Sequence, residues 1–298
     1  MPQPTSPNPP NFRAGYVAII GRPNAGKSTL LNRLLGHRIA IVTPKPQTTR
    51  HRILGILNGE NYQVLLLDTP GILDPKYTLQ KMMKQEIDKA LTDADVILLL
   101  LDATNPVYDD LKLITNRNAI IALNKIDELP KTSLLPMVDR CAREGFDRIF
   151  MISALTGDGI EDLKQAIINL LPEAPPFYPP DQVSERPERF FVAELIREAV
   201  FNRYGAEIPY STTVEVEEFR ERPGRKDYIR AVIFVERESQ KAILIGEGGK
   251  ALKKVGEIAR ESIEQFLGRP VYLELWVKVA KNWRENENFI RRTVYGNT

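Results

Sequence analysis

Apolar residues recur along this chain in two rhythms. Up to about Leu171, short runs ("YVAIIG", "RILGIL", "QVLLLD", "VILLLLD", "AIIALN" and "RIFMIS") alternate with stretches whose apolar positions repeat at helical spacing. Strand-like runs separated by amphipathic helices predict a mostly parallel sheet with helices on both faces, an α/β domain. Asn58-Gly59 stands between two such runs as a hairpin signal, so one strand pair is expected to be antiparallel. Five prolines between residues 172 and 180 then predict a stiff linker. Beyond them the order changes to helix, strand, strand, helix, helix, strand. The expected division is a proline-rich, disordered tail over 1–13, a first domain over 14–172, a linker over 173–189 and a second domain over 190–298. No segment repeats.

Composition narrows the function classes only a little. The 298 residues are 43% hydrophobic, enough for two ordinary cores, and 41 Lys+Arg against 39 Asp+Glu leave a net charge of +2. Bulk charge therefore does not announce a nucleic-acid binder, and any such reading rests on local clustering. A single cysteine, Cys141, excludes an internal disulfide and a multi-cysteine zinc site, and fits a reducing compartment. It lies in a helical stretch and reads as packing. "VILLLL" is too short to span a bilayer. "MPQPTSPNPPN" lacks the basic start and apolar core of a secretory signal.

The chemistry sits where strands end. "GRPNAGKST", between the first strand and a helix, fits Gly-x-x-x-x-Gly-Lys-[Ser/Thr] with Gly21, Gly26, Lys27 and Ser28 at the fixed positions. Such a loop turns backbone N–H groups inward around phosphates, its lysine reaches the β and γ phosphates, and its serine holds Mg²⁺. Arg22, Pro23, Asn24, Ala25 and Thr29 complete the candidate loop. "LLLDTPG" places Asp68, Thr69, Pro70 and Gly71 at another strand end, an acid for Mg²⁺ and a glycine N–H for the γ-phosphate. "ALNKID" supplies Asn124, Lys125 and Asp127. A carboxylate accepts both the ring N–H and the exocyclic amine of guanine, whereas adenine would leave it unpaired. Asn124 is expected to tie this loop to the phosphate loop, and Ser153 and Ala154 of "MISALTG" to offer N–H groups to the guanine carbonyl. The nucleotide is therefore GTP, exchanging with GDP. His37 and His51 flank polar surface stretches and receive no role.

These motifs, in this order, resemble translation-factor-type GTPases. "KPQTTRHRILG" resembles the first switch of the Era family, and "ERPERFFVAELIREAVF", "AEIPYSTTVEVEEF", "VERESQKAILIGEGG" and "VYLELWVKV" resemble its RNA-binding half. The resemblance covers nearly the whole chain outside the tail and implies a P-loop GTPase domain followed by an α+β type II KH domain. One stretch departs from it: "ATNPVYDDLKLITNRNAII" is short, which leaves the length of a surface helix open. By position, Thr49 is expected to reach Mg²⁺ when GTP is bound, with Thr48 the near alternative. Lys27, Thr49 and Asn24 are the candidate catalytic residues, and Ser28, Thr49 and Asp68 the metal ligands. Ile72 occupies the place where many GTPases carry a water-orienting glutamine, so slow intrinsic hydrolysis is expected. Asn24 matches a position where relatives of this group coordinate K⁺; a hydrogen bond within the loop is the other reading.

In the second domain, Gly246-Glu247-Gly248-Gly249 opens an amphipathic helix, and Lys241, Lys250, Lys253 and Lys254 cluster around it. A Gly-x-x-Gly loop lets a nucleic-acid backbone approach closely, as in KH domains. Trp276 and Trp283 are candidates for base stacking, although Trp276 alternates in its strand as a core residue would. The Era resemblance implies binding near the 3′ end of 16S ribosomal RNA during assembly of the 30S subunit. It also implies a cytoplasmic monomer, with peripheral attachment to the cell membrane possible. The alternative is a GTPase whose second domain recruits a protein or membrane partner.

Overall fold

The computed structural model describes residues 11–43 and 45–296. The chain forms two compact units, one made of Met1–Ala40, Thr49–Leu73 and Lys84–Glu185, the other of Ile41–Thr48, Asp74–Met83 and Arg186–Thr298.

The first unit holds a six-stranded sheet in the order β2-β3-β1-β4-β5-β6, built from β1 (Arg13–Gly21), β2 (Ile53–Asn58), β3 (Tyr62–Asp68), β4 (Val96–Asp102), β5 (Ala119–Asn124) and β6 (Ile149–Met151). Only β2 runs antiparallel, joined to β3 through Asn58-Gly59 as the hairpin signal requires. The central strands are buried on both faces, which is why they read as unbroken apolar runs. The register sets Ile19 beside Asp68, Gly21 beside Leu100 and Asp102 beside Asn124. Every sequence motif of the first unit is thereby delivered to the carboxyl ends of the strands, where open α/β sheets bind ligands. Cys141 is buried in the helix Leu134–Arg143, as its pattern suggested.

Three boundaries differ from expectation. Residues 1–10 of the proline-rich tail lie outside the described residues, but Arg13 already belongs to β1 and Phe12 accepts a hydrogen bond from Ala174 N–H. The proline-rich segment, expected as a stiff linker, is hydrogen-bonded along the first unit. Ile56 N–H donates to Val183 O at 2.9 Å, Ser184 Oγ to Leu54 O at 2.6 Å, and Phe177 N–H to the buried Gln63 side chain at 2.7 Å. The segment thus covers the edge strand β2, whose unpaired backbone groups would otherwise be left open. The next helix begins at Glu188, inside the expected linker.

The second unit contains a three-stranded sheet, β7 (Thr213–Arg220), β8 (Asp227–Val235) and β9 (Val271–Val279), with β7 antiparallel and β9 parallel to β8. The helix from Glu188 to Arg203 and the later helix from Lys250 to Leu267 pack on one face, burying Ile196, Ala199, Ile229, Ala231, Val255 and Ala259. This is the expected KH element order. Trp283 lies outside the sheet, 1% exposed, with its indole N–H donating to Ser211 O at 2.8 Å. Trp283→Ala removes that volume and orphans the carbonyl. It should lower unfolding free energy by about 3–5 kcal/mol in a denaturant titration.

Candidate functional site

The phosphate loop links β1 to the helix α1 (Lys27–Leu35) through Gly26, whose φ of +99° is open to glycine without strain. A Cβ there would lie 2.2 Å from the Asn124 side-chain nitrogen, so the position has no room for one. Lys27 is buried at the loop's centre, its ammonium donating to the carbonyls of Gly21 and Arg22, both at 3.0 Å. Burial pushes its pKa down, with Asp68 opposing. Burial pushes Asp68 up, opposed by Lys27 and by hydrogen bonds from Ser28 and Thr49. Ser28 Oγ donates to Asp68 Oδ2 at 2.8 Å and lies 3.1 Å from Thr49 Oγ1, which is itself 3.5 Å from the same carboxylate oxygen. The other oxygen, Oδ1, is buried with no hydrogen-bond partner among the described residues. Two hydroxyls and a carboxylate with a spare buried oxygen make a hard-oxygen donor set of the kind that suits Mg²⁺.

Thr49, and not Thr48, is the threonine brought to these oxygens. The carbonyl of Thr48, within the second unit, accepts from the Arg197 guanidinium. Thr69 is committed to the sheet, its hydroxyl donating to Ile19 O at 2.8 Å.

On the base side, Asn124 performs the tie expected of it: its amide donates to Ala25 O at 2.7 Å and its carbonyl accepts Ala154 N–H at 2.9 Å. That second bond corrects one expectation. Ala154 N–H donates to Asn124 and Ser153 N–H to Asp158 O at 2.9 Å, so both expected donors already have protein partners. Lys125 stands in the left-handed region with φ +69° and bonds Asp102 Oδ2 at 2.5 Å. Burial works against the charge of Asp102, but the bonds from Lys125 and Thr104 prevail and hold its carboxyl below the usual range. Asp102 was missed from sequence because a strand-ending aspartate carries no motif of its own. Asp127 is exposed on the short turn after Lys125. His51 is buried, against the surface placement its polar neighbours suggested, while His37 is exposed.

In the second unit, Gly248 and Gly249 have φ of +55° and +79°, with open space where a Cβ would stand. They lead into the helix from Lys250 to Leu267, beside a groove of about 320 Å³ lined by Gly249, Leu252, Lys253, Arg260, Leu273 and Leu275. Lys250, Lys253 and Lys254 are exposed, and Lys253 lines the groove, whereas Lys241 is half-buried beside Glu238. Neither tryptophan lines the groove. Trp283 is core, and Trp276, 55% exposed, alternates onto the sheet face opposite Leu273 and Leu275.

The chain matches the family model described as 50S ribosome-binding GTPase over residues 16–125 and the KH domain model over residues 207–284. It is 45% identical over 291 residues to the GTPase Era of Geotalea uraniireducens, covering 95% of this chain and 98% of that protein. The chain belongs to the Era GTPase family. It is also 43% identical over 297 residues to a chloroplastic ERA-like GTPase of Arabidopsis thaliana, covering 96% of this chain and 69% of the relative. Two solved Era structures each superpose with a TM-score of 0.91, covering 95% of this chain and 99% of theirs. One, from Aquifex aeolicus at 39% identity, is a variant bound to GDP and AlF4⁻. The other, at 40% identity, is in complex with MgGDPNP and nucleotides 1506–1542 of 16S ribosomal RNA. As a member of the Era family this chain is a GTPase, with a P-loop domain and a KH domain in that order. No helix among the described residues is long and apolar enough to cross a membrane.

Proposed function

We propose that this chain is a GTP-driven switch whose second unit grips the 3′ region of 16S ribosomal RNA and assists assembly of the 30S subunit. The observation that carries the RNA reading is the groove beside Gly248-Gly249, apolar at Leu252, Leu273 and Leu275 and basic at Lys253 and Arg260. Apolar walls suit bases turned out of a helix, and a glycine pair with no Cβ suits a close phosphate. The Era relative solved with 16S ribosomal RNA nucleotides supports the choice of RNA. On this reading the site of action is the cytoplasm, where small subunits assemble. Crosslinking the purified protein to cellular RNA with GTP or GDP, then sequencing the bound fragments, tests it. Recovery of 16S 3′-end fragments is expected, and fragments scattered evenly over cellular RNA would overturn it.

In the nucleotide site, Ser28, Thr49 and Asp68 would hold Mg²⁺, which neutralises charge on the β and γ phosphates. Lys27 exchanges its two loop carbonyls for phosphate oxygens, which favour its charged form against the effect of burial. Gly71 N–H closes on the γ-phosphate, and Asp127 reads guanine. Ile72 packs against the core and has no side-chain donor or acceptor to orient water. Free protein should therefore hydrolyse GTP slowly. Asn24, at φ +64° in the loop, is the proposed K⁺ ligand. Hydrolysis is expected to run roughly tenfold faster in KCl than in NaCl at matched ionic strength, a difference that Asn24→Ala abolishes. Equal rates in both salts would remove K⁺ from the mechanism.

A further inference from the structure

Arg22 stands inside the phosphate loop, yet its guanidinium is turned to Asp110. Nε donates to Oδ2 and Nη2 to Oδ1, both at 3.0 Å, a two-pronged fork of the strong charge-assisted kind. The carboxylate side is 5% exposed and the arginine side 50%. Asp110 lies on the short turn Tyr108–Leu113 between β4 and β5, anchored by the buried Leu111 beside it. This turn falls in the stretch where the sequence departs from the Era resemblance.

The fork matters for what Arg22 holds at its other end. The Arg22 carbonyl accepts Lys27 Nζ at 3.0 Å and Ala25 N–H at 3.3 Å. The preceding carbonyl, of Gly21, accepts Ile72 N–H at 3.0 Å, so the loop also carries the start of the segment after Gly71. Pro23 follows Arg22 directly and is pressed against Gly71: a Cβ on Gly71 would lie 2.7 Å from the Pro23 nitrogen. The wall on which Gly71 closes is therefore the backbone that Arg22 anchors. Closing Gly71 on a phosphate is required only when the third phosphate is present.

We infer that Arg22 and Asp110 form a positioning pair for the γ-phosphate, fixing the Pro23–Gly71 contact so that the protein tells GTP from GDP and reaches its hydrolytic geometry. Neither side chain touches the reacting atoms; each acts through the loop backbone. Displacements well under an ångström at such a wall cost rate steeply, because the geometry for in-line attack is narrow.

The test measures kcat for GTP, affinities for GDP and a non-hydrolysable GTP analogue, and thermal midpoint in Arg22→Ala, Asp110→Ala and the double variant. Each single variant should lose about tenfold in kcat and about tenfold in analogue affinity, while GDP affinity stays within about twofold. The double variant should be no worse than the singles, since the pair acts as one unit. Asp110→Asn keeps the shape, guards against a folding failure, and should fall between wild type and Asp110→Ala. If GDP and analogue affinities fall together in step with the thermal midpoint, the pair is only structural. Additive losses in the double variant, or a kcat within twofold of wild type in folded Asp110→Asn and Arg22→Ala, would equally overturn the inference.

Discussion

Asp127→Asn is expected to weaken GTP binding by about two orders of magnitude or more and to turn the protein toward XTP. On the proposed reading the carboxylate accepts two hydrogen bonds from guanine, and an amide would present a donor at one of those places. Losing charge-assisted bonds costs roughly 1.5–3 kcal/mol apiece. Xanthine carries an oxygen where guanine carries its amine, so the amide finds a partner again. The rest of the base site does not depend on Asp127. Asn124 is held by Ala25 and Ala154, and Lys125 by Asp102. The variant should therefore fold and hydrolyse XTP. Competition of fluorescent GDP with GTP and XTP measures the switch, and a variant that still prefers GTP removes Asp127 from base recognition.

Gly248→Asp should lower affinity for single-stranded 16S 3′-end RNA by about a hundredfold while leaving GTP affinity intact. The new carboxylate stands where a phosphate is expected, and repulsion adds to the lost close approach. Folding should survive for two reasons. Nothing lies within 4 Å of a Cβ at this position, and φ there is +55°, a left-handed value that aspartate tolerates better than most residues. Filter binding at several salt concentrations gives the measurement. Wild-type affinity should fall steeply with added salt as the lysines release counterions. Unchanged affinity in the variant would direct attention away from the glycine loop and toward recruitment of a protein or membrane partner.

Much of the nucleotide site was legible in the sequence because each part of it is local. A phosphate loop is a run of backbone N–H groups between one strand and the next helix, so Gly21, Gly26, Lys27 and Ser28 carry it within a few positions. The strands were legible for a related reason. Burial on both faces leaves unbroken apolar runs, and Asn58-Gly59 marks the single reversal. The second unit was harder. Its helix from Glu188 to Arg203 buries polar residues such as Glu194 and Arg197 along with apolar ones, so its periodicity understates its burial. Its groove joins Leu252 and Arg260 on a helix to Leu273 and Leu275 on a strand, and no spacing announces that meeting.

The sequence by itself proposed which backbone segments serve which ligand: phosphates at 21–29, metal at Ser28 and Asp68, base at 124–127, and a glycine loop with lysines in the second domain. These are contiguous motifs whose chemistry follows from residue type and order. Tertiary structure alone decided how individual donors are spent. It gave Thr49 rather than Thr48 to the Asp68 carboxylate, and directed the N–H of Ser153 to Asp158 O and that of Ala154 to the Asn124 side chain. It buried His51 and Trp283, exposed Trp276, and strapped the proline-rich segment along β2. It also paired Arg22 with Asp110 across 88 positions. A hydrogen bond between distant residues depends on the register of the sheet and the path of the loops, and neither is written in the local order of side chains.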